Sequence, residues 1–86
     1  MEIDEHENIR YYNLEHQLHR DDIDTDTGYT LPAVEYKDET KYWYKSGKRH
    51  RDDRDLITGL TLPAIERYDG SKGWWINGIE YILIKI

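Results

Sequence analysis

His19-Arg20-Asp21-Asp22 returns as His50-Arg51-Asp52-Asp53 at an offset of 31 residues. Carried on without a gap, that offset makes 16 of 31 positions identical between residues 19–49 and 50–80. The matches include Thr27-Gly28 with Thr58-Gly59, Thr30-Leu31-Pro32-Ala33 with Thr61-Leu62-Pro63-Ala64, Trp43 with Trp74 and Gly47 with Gly78. A unit this short cannot bury an apolar face alone, so such a chain must stack its copies and bury the faces between them. The same offset sets Tyr11 and Tyr12 on Tyr42 and Trp43, with Glu15-His16 where Ser46-Gly47 stands. The expected division of one domain is an acidic arm (1–10), a degenerate half-repeat (11–18), two full repeats (19–49 and 50–80) and a C-terminal strand (81–86).

Within a unit the pattern is β. Leu31 to Tyr36 and Leu62 to Tyr68 are rich in β-branched and aromatic residues and run into turns at Asp38-Glu39 and Asp69-Gly70. Strands over Thr40 to Lys45 and Lys72 to Ile76 lead to Ser46-Gly47 and Asn77-Gly78, residues that tolerate positive φ. Lys48 to Arg51 and Ile79 to Ile86 return. Pro32 and Pro63 open strands, where the missing N–H matters least. Asp21 to Thr30 and Asp52 to Leu60 read as long polar loops. Residues 1–10 fit a short helix, an extra strand or a disordered arm. The fold class is all-β, an antiparallel meander of stacked β-hairpins. Alternation sets Tyr42 and Tyr44 on one face and Trp43 on the other. The equivalent Trp43 and Trp74 are expected to stack as a ladder.

Eighty-six residues with 37% hydrophobic content and 35% charged give a thin core. Eight tyrosines and three tryptophans with no phenylalanine supply its bulk, each with a polar edge that wants a partner. Cysteine is absent, which removes disulfides and thiolate chemistry and fits a reducing cytoplasm. No stretch has the signature of a signal peptide or a membrane span. The net charge of −6, mostly carried by the first 18 residues, argues against binding nucleic acid.

Tyr44-Lys45-Ser46-Gly47-Lys48-Arg49-His50 and Trp75-Ile76-Asn77-Gly78 resemble the aromatic-x-Asn-Gly-x-x-His hairpin of MORN repeats. The order of aromatic strand, Gly turn, His-Arg-Asp, Leu-Pro-Ala and Asp-Gly is similar to MORN-like repeats in proteins of tailed phages and giant viruses. The resemblance covers residues 11–81. It departs in its longer links before Leu-Pro-Ala, in His16 where Gly is expected, and in Tyr81 where the last hairpin should have His. It implies stacked hairpins and contact with protein or lipid, without catalysis.

Four groups of residues invite chemistry. Asp22, Asp24 and Asp26 alternate like a calcium loop, but Thr27 and Ala33 stand where an EF-hand needs Gly and Glu, and Ile57 replaces the third acid in the second copy. A solvated turn is the plainer reading, so no metal or cofactor is expected. His16, His19 and His50 carry no catalytic arrangement; His19 and His50 are equivalent scaffold positions, and the chain reads as no enzyme. Tyr42, Tyr44 and Trp75, with Lys45, Lys48, Arg49 and Arg51, form an aromatic-basic set suited to a protein partner. Asp21, Asp22, Asp24 and Asp26 are its acidic counterpart. Lastly, Tyr81 to Ile86 is apolar on both faces and must pair with the sheet, with residues 1–10 or with a second copy.

The expected function is a small phage-type module that binds a host protein, with stoichiometric inhibition as its role: the aromatic-basic face docks, and the N-terminal acids and Asp loops fill a basic site meant for nucleic acid. A structural or oligomerising module of a viral assembly is the alternative, and a homodimer through the C-terminal strand is expected beside either reading. Single-strand binding by the aromatic-basic set is a third, weakened by the charge.

Overall fold

Turn chemistry decides where the strands end. Ser46 and Gly47 have φ of 50° and 79°, and Asn77 and Gly78 have 51° and 81°. Two successive left-handed residues make the tight hairpin turn whose twist matches the flanking strands. In the computed structural model, which describes residues 1–82, these turns join β5 (Tyr44–Lys45) to β6 (Lys48–Arg49) and β8 (Lys72–Ile76) to β9 (Ile79–Tyr81). A second set of turns joins β1 (Glu2–Ile3) to β2 (Ile9–Arg10), β3 (Val34–Glu35) to β4 (Lys41–Tyr42), and β7 (Ile65–Glu66) to β8. All pairs are antiparallel and the chain is all-β: a seven-stranded sheet in the order β1-β2-β3-β4-β7-β8-β9 and a separate β5-β6 pair.

Most strands are two residues long, shorter than the composition suggests, because the chain changes partners in mid-strand. Trp43 donates its N–H to Ala64 of the next unit while its carbonyl accepts from His50 of its own hairpin. Ala33 likewise donates to Tyr42 and accepts from Tyr11. Lys41–Tyr42 therefore belong to the large sheet and Tyr44–Lys45 to the hairpin. Ala33, Val34, Trp43, Ala64 and Ile65, at and beside these crossings, are the buried hydrophobic residues.

The two polar loops also fold as hairpins. Ile23 bridges Thr30 and Arg54 bridges Thr61. Asp24 Oδ1 accepts from the N–H groups of Asp26 and Thr27, and Asp55 Oδ1 from those of Ile57 and Thr58. These are Asx turns, in which a short carboxylate replaces the missing backbone acceptor.

Each unit is bonded to the next along three lines. Asn8 Oδ1 accepts from Lys37 N–H and Thr40 Oγ1 from Tyr68 N–H. His19 Nδ1 accepts from Ser46 N–H and His50 Nδ1 from Asn77 N–H, each at 2.9 Å. Asp53 accepts from Thr30, and Tyr29 Oη accepts from Leu56 N–H.

The N-terminal part decides one open reading and corrects one expectation. Of the three forms open for residues 1–10, the chain adopts strands, with Glu2 opposite Arg10 and Ile9 opposite Glu35. The ungapped register of the first hairpin is off by one. Tyr11, not Tyr12, takes the place of Trp43: it donates to Ala33 as Trp43 donates to Ala64, and accepts from His19 as Trp43 accepts from His50. The cause is a longer turn, closed by Asn13 accepting from His16 and donating to Gln17. That extra residue is invisible to an ungapped offset. Of the C-terminal strand, Tyr81 pairs with Trp74 and β9 ends before Ile82; residues 83–86 of its expected span lie outside the described residues.

Candidate protein-binding face

Pleating of the β5-β6 hairpin sorts its side chains. Tyr44 pairs across with Arg49, and Lys45 with Lys48. Arg49 Nε donates to Tyr44 Oη at 3.3 Å. Its guanidinium carbon also lies 5.5 Å from the Tyr42 ring centroid and 5.0 Å from that of Trp75. Tyr42 and Tyr44 are tilted against each other at 6.4 Å, and Tyr36 meets Tyr42 edge-on at 5.4 Å. The result is a ribbon of Tyr36, Tyr42, Tyr44, Arg49 and Trp75 crossing three strand pairs, each side chain half-buried. Burial pushes the Tyr36 hydroxyl above its ordinary pKa, and the neighbouring Tyr42 adds to the shift.

Tyr42, Tyr44, Arg49 and Trp75 of the expected set thus come together. Tyr36 was missed, since it differs between the copies and no repeat logic singles it out. Gly73 was missed as well. It occupies the place of Tyr42, and a Cβ there would lie 3.3 Å from Trp75 Nε1. Lacking one, it lets the indole lie across the backbone, where Nε1 is buried without a hydrogen-bond partner among the described residues.

Other members of the set go elsewhere. Arg51 is 6% exposed and belongs to the interior. Its Nε meets Asp53 at 2.9 Å, Nη1 reaches Glu66 at 2.9 Å and the Pro63 carbonyl at 3.1 Å, and its guanidinium covers the Trp43 ring at 3.9 Å. It is no contact residue. The expected tryptophan ladder is also corrected: among the described residues Trp43 stacks with this guanidinium and makes no ring contact with Trp74. Lys45 and Lys48 lie on the other side of the pleat. Lys45 acts electrostatically on Asp21, and the Lys48 stem packs on Gly78.

The acids are not a free cluster. Asp22 binds Arg20 Nε at 2.9 Å, and Asp21 binds His19 Nε2 at 2.7 Å, a bond that lowers the Asp21 pKa. Asp24 is spent on its own turn, and Asp26 is exposed beside it. Their carboxylates serve separate partners, and no group of three potential ligands converges among the described residues. His19 and His50 take a backbone N–H on Nδ1, which leaves the proton on Nε2 to face Asp21 and, at 3.5 Å, Asp52. His16 stacks on Tyr12 at 4.5 Å.

No helix among the described residues is long and apolar enough to cross a membrane. The chain matches no known protein family, no curated protein and no solved structure.

Proposed function

We propose that this chain is a non-catalytic module that binds one partner protein on the ribbon Tyr36-Tyr42-Tyr44-Arg49-Trp75. The observation that carries this is the cross-bracing of the ribbon by Arg49, which holds Tyr42, Tyr44 and Trp75 in one arrangement. Aromatic side chains and arginine dominate binding energy at protein interfaces, and holding them in place beforehand reduces the ordering cost of docking. The resemblance to MORN-like repeats of tailed phages supports a host protein as the partner and stoichiometric inhibition as the consequence. Because Asp21, Asp22 and Asp24 are held by partners within the chain, this reading assigns the contact to the ribbon.

Tagged chain is used to capture protein from host lysate, beside Tyr42→Ala, Arg49→Ala and a control substituted at the exposed Lys37. The expected result is one protein retained at a fixed ratio by parent and control and lost at least tenfold by both ribbon variants. Equal retention by all four, or no protein held in fixed ratio, removes the reading. A second reading, self-association through the last strand, is favoured by the exposure of Ile79, Tyr81 and Ile82. A mass in solution that rises with concentration and falls in Ile79→Lys would support it.

A further inference from the structure

The arginine seat occurs three times along the stack, and only two are filled by arginine. Arg20 lies 3.8 Å over Tyr11 and Arg51 lies 3.9 Å over Trp43. Trp74 repeats the geometry of Trp43: Nε1 of each donates to a threonine carbonyl, Thr30 at 2.7 Å and Thr61 at 2.9 Å. The residue in the arginine register over Trp74 is Ile82, and it is 85% exposed instead of lying on the ring. A cavity of about 290 Å³ opens there, lined by Thr61, Trp74, Trp75, Ile76, Tyr81 and Ile82.

A second feature adjoins this face of Trp74. The bonds that flank the Ile23–Thr30 bridge (Leu31 to Asp22, Asp24 to Tyr29) turn the Thr30 N–H outward, and Asp53 receives both that N–H and the Thr30 hydroxyl at 3.1–3.2 Å. The matching bonds Leu62 to Asp53 and Asp55 to Leu60 turn Thr61 outward in the same way. Neither its N–H nor its hydroxyl has an acceptor among the described residues. Trp43 and Thr30 thus receive one Arg-x-Asp segment, Arg51 to Asp53, whereas Trp74 and Thr61 present the same receptor with aliphatic Ile82 in the arginine's register.

We propose that Trp74 and Thr61 form a socket for an Arg-x-Asp segment of a partner protein, the guanidinium stacking on the indole and the carboxylate taking the Thr61 N–H and hydroxyl. The occupant's chemistry is argued from the filled copy next door and is independent of the ribbon. A second copy of this chain is a poor source, because Arg20 and Arg51 are both engaged within their own chain.

The probe is a synthetic peptide of residues 44–53, which carries Arg51 and Asp53, titrated into the full chain while the Trp74 indole signal is followed by NMR. Saturable perturbation of Trp74 is expected, weakened at least tenfold by leucine in place of the peptide's Arg51, with its Arg49 kept, or by asparagine in place of its Asp53. Ile82→Arg fills the seat from within. It should abolish peptide binding and raise the melting temperature by roughly 4 °C or more, the shift a small domain shows for one added interaction of this size. No perturbation at millimolar peptide, equal binding of the leucine peptide, or undiminished binding by Ile82→Arg overturns the proposal.

Discussion

Arg51 lies with its guanidinium carbon 3.9 Å from the centre of the Trp43 ring, and both side chains are buried. Arg51 also ties Asp53 to Glu66, so one cation links a turn, a strand and an aromatic core residue. Removing one partner of a buried charge pair leaves the others without compensation. Arg51→Ala should therefore cost about 3 kcal/mol in urea unfolding. Arg51→Lys should recover little, since an ammonium lacks the planar fork that makes these contacts. Arg20→Ala should cost less, because its partner Asp22 is largely exposed.

The tryptophans separate by their N–H groups. Trp43 donates to the Thr30 carbonyl at 2.7 Å, whereas Trp75 Nε1 is buried without a partner among the described residues. Trp43→Phe should cost about 1–3 kcal/mol, the penalty for orphaning a buried acceptor together with lost packing. Trp75→Phe removes an unpaired donor and should lie within about 1 kcal/mol of the parent. Equal losses in thermal unfolding would contradict this account.

Glu39 has φ of 77°, at the turn position where the next unit has Gly70 with φ of 88°. A left-handed backbone costs a residue with a Cβ roughly 1–2 kcal/mol, partly offset by the freedom glycine loses on folding. Glu39→Gly should stabilise by about 0.5–1 kcal/mol, read as a higher urea midpoint at unchanged slope.

Acid should unfold the chain through identifiable carboxylates. The Arg10 guanidinium, with backbone N–H groups from Asn8 and His6, holds Asp4 well below its ordinary value of 3.8. Asp21 is lowered by His19, Asp55 by the N–H groups of its own turn and Asp69 by Ser71. A group depressed in the folded state binds more protons when unfolded, so its contribution is complete above its ordinary pKa and fades as pH falls below it. The urea midpoint should hold near neutral pH and fall below about pH 4, less steeply in Asp4→Asn. Asp21 and Asp69 are exposed and Asp4 and Asp55 half-buried, so added salt should flatten the profile in part.

Repetition made the sheet legible. Residues shared at the 31-residue offset, such as Trp43 with Trp74 and Gly47 with Gly78, mark recurring turns and core, and Ser-Gly and Asn-Gly turns act through local backbone preference alone. Neither needs knowledge of distant contacts. The first hairpin was misread by one position because its longer turn shifts Tyr11 and Tyr12 relative to the scaffold, and only the interstrand bonds to Ala33 and His19 show where they sit.

The candidate face was partly legible. Tyr42, Tyr44 and Arg49 follow from pleat alternation within one hairpin, which a linear pattern carries. Arg51 did not, because a basic residue two places from Arg49 looks equally exposed in sequence. Its burial is decided by Glu66 and the Pro63 carbonyl, which arrive from the following unit.

What the amino-acid sequence determined by itself is therefore an all-β stack of hairpins, their tight turns and the aromatic identity of the core, all set by local preference and by repetition. The tertiary structure alone decided that the arginines, not the tryptophans, stack between units, and that among the described residues Trp74 and Thr61 lack the partners their counterparts have. Those outcomes depend on how one copy meets the next, and a charge is drawn into the interior only where three separate segments converge to receive it.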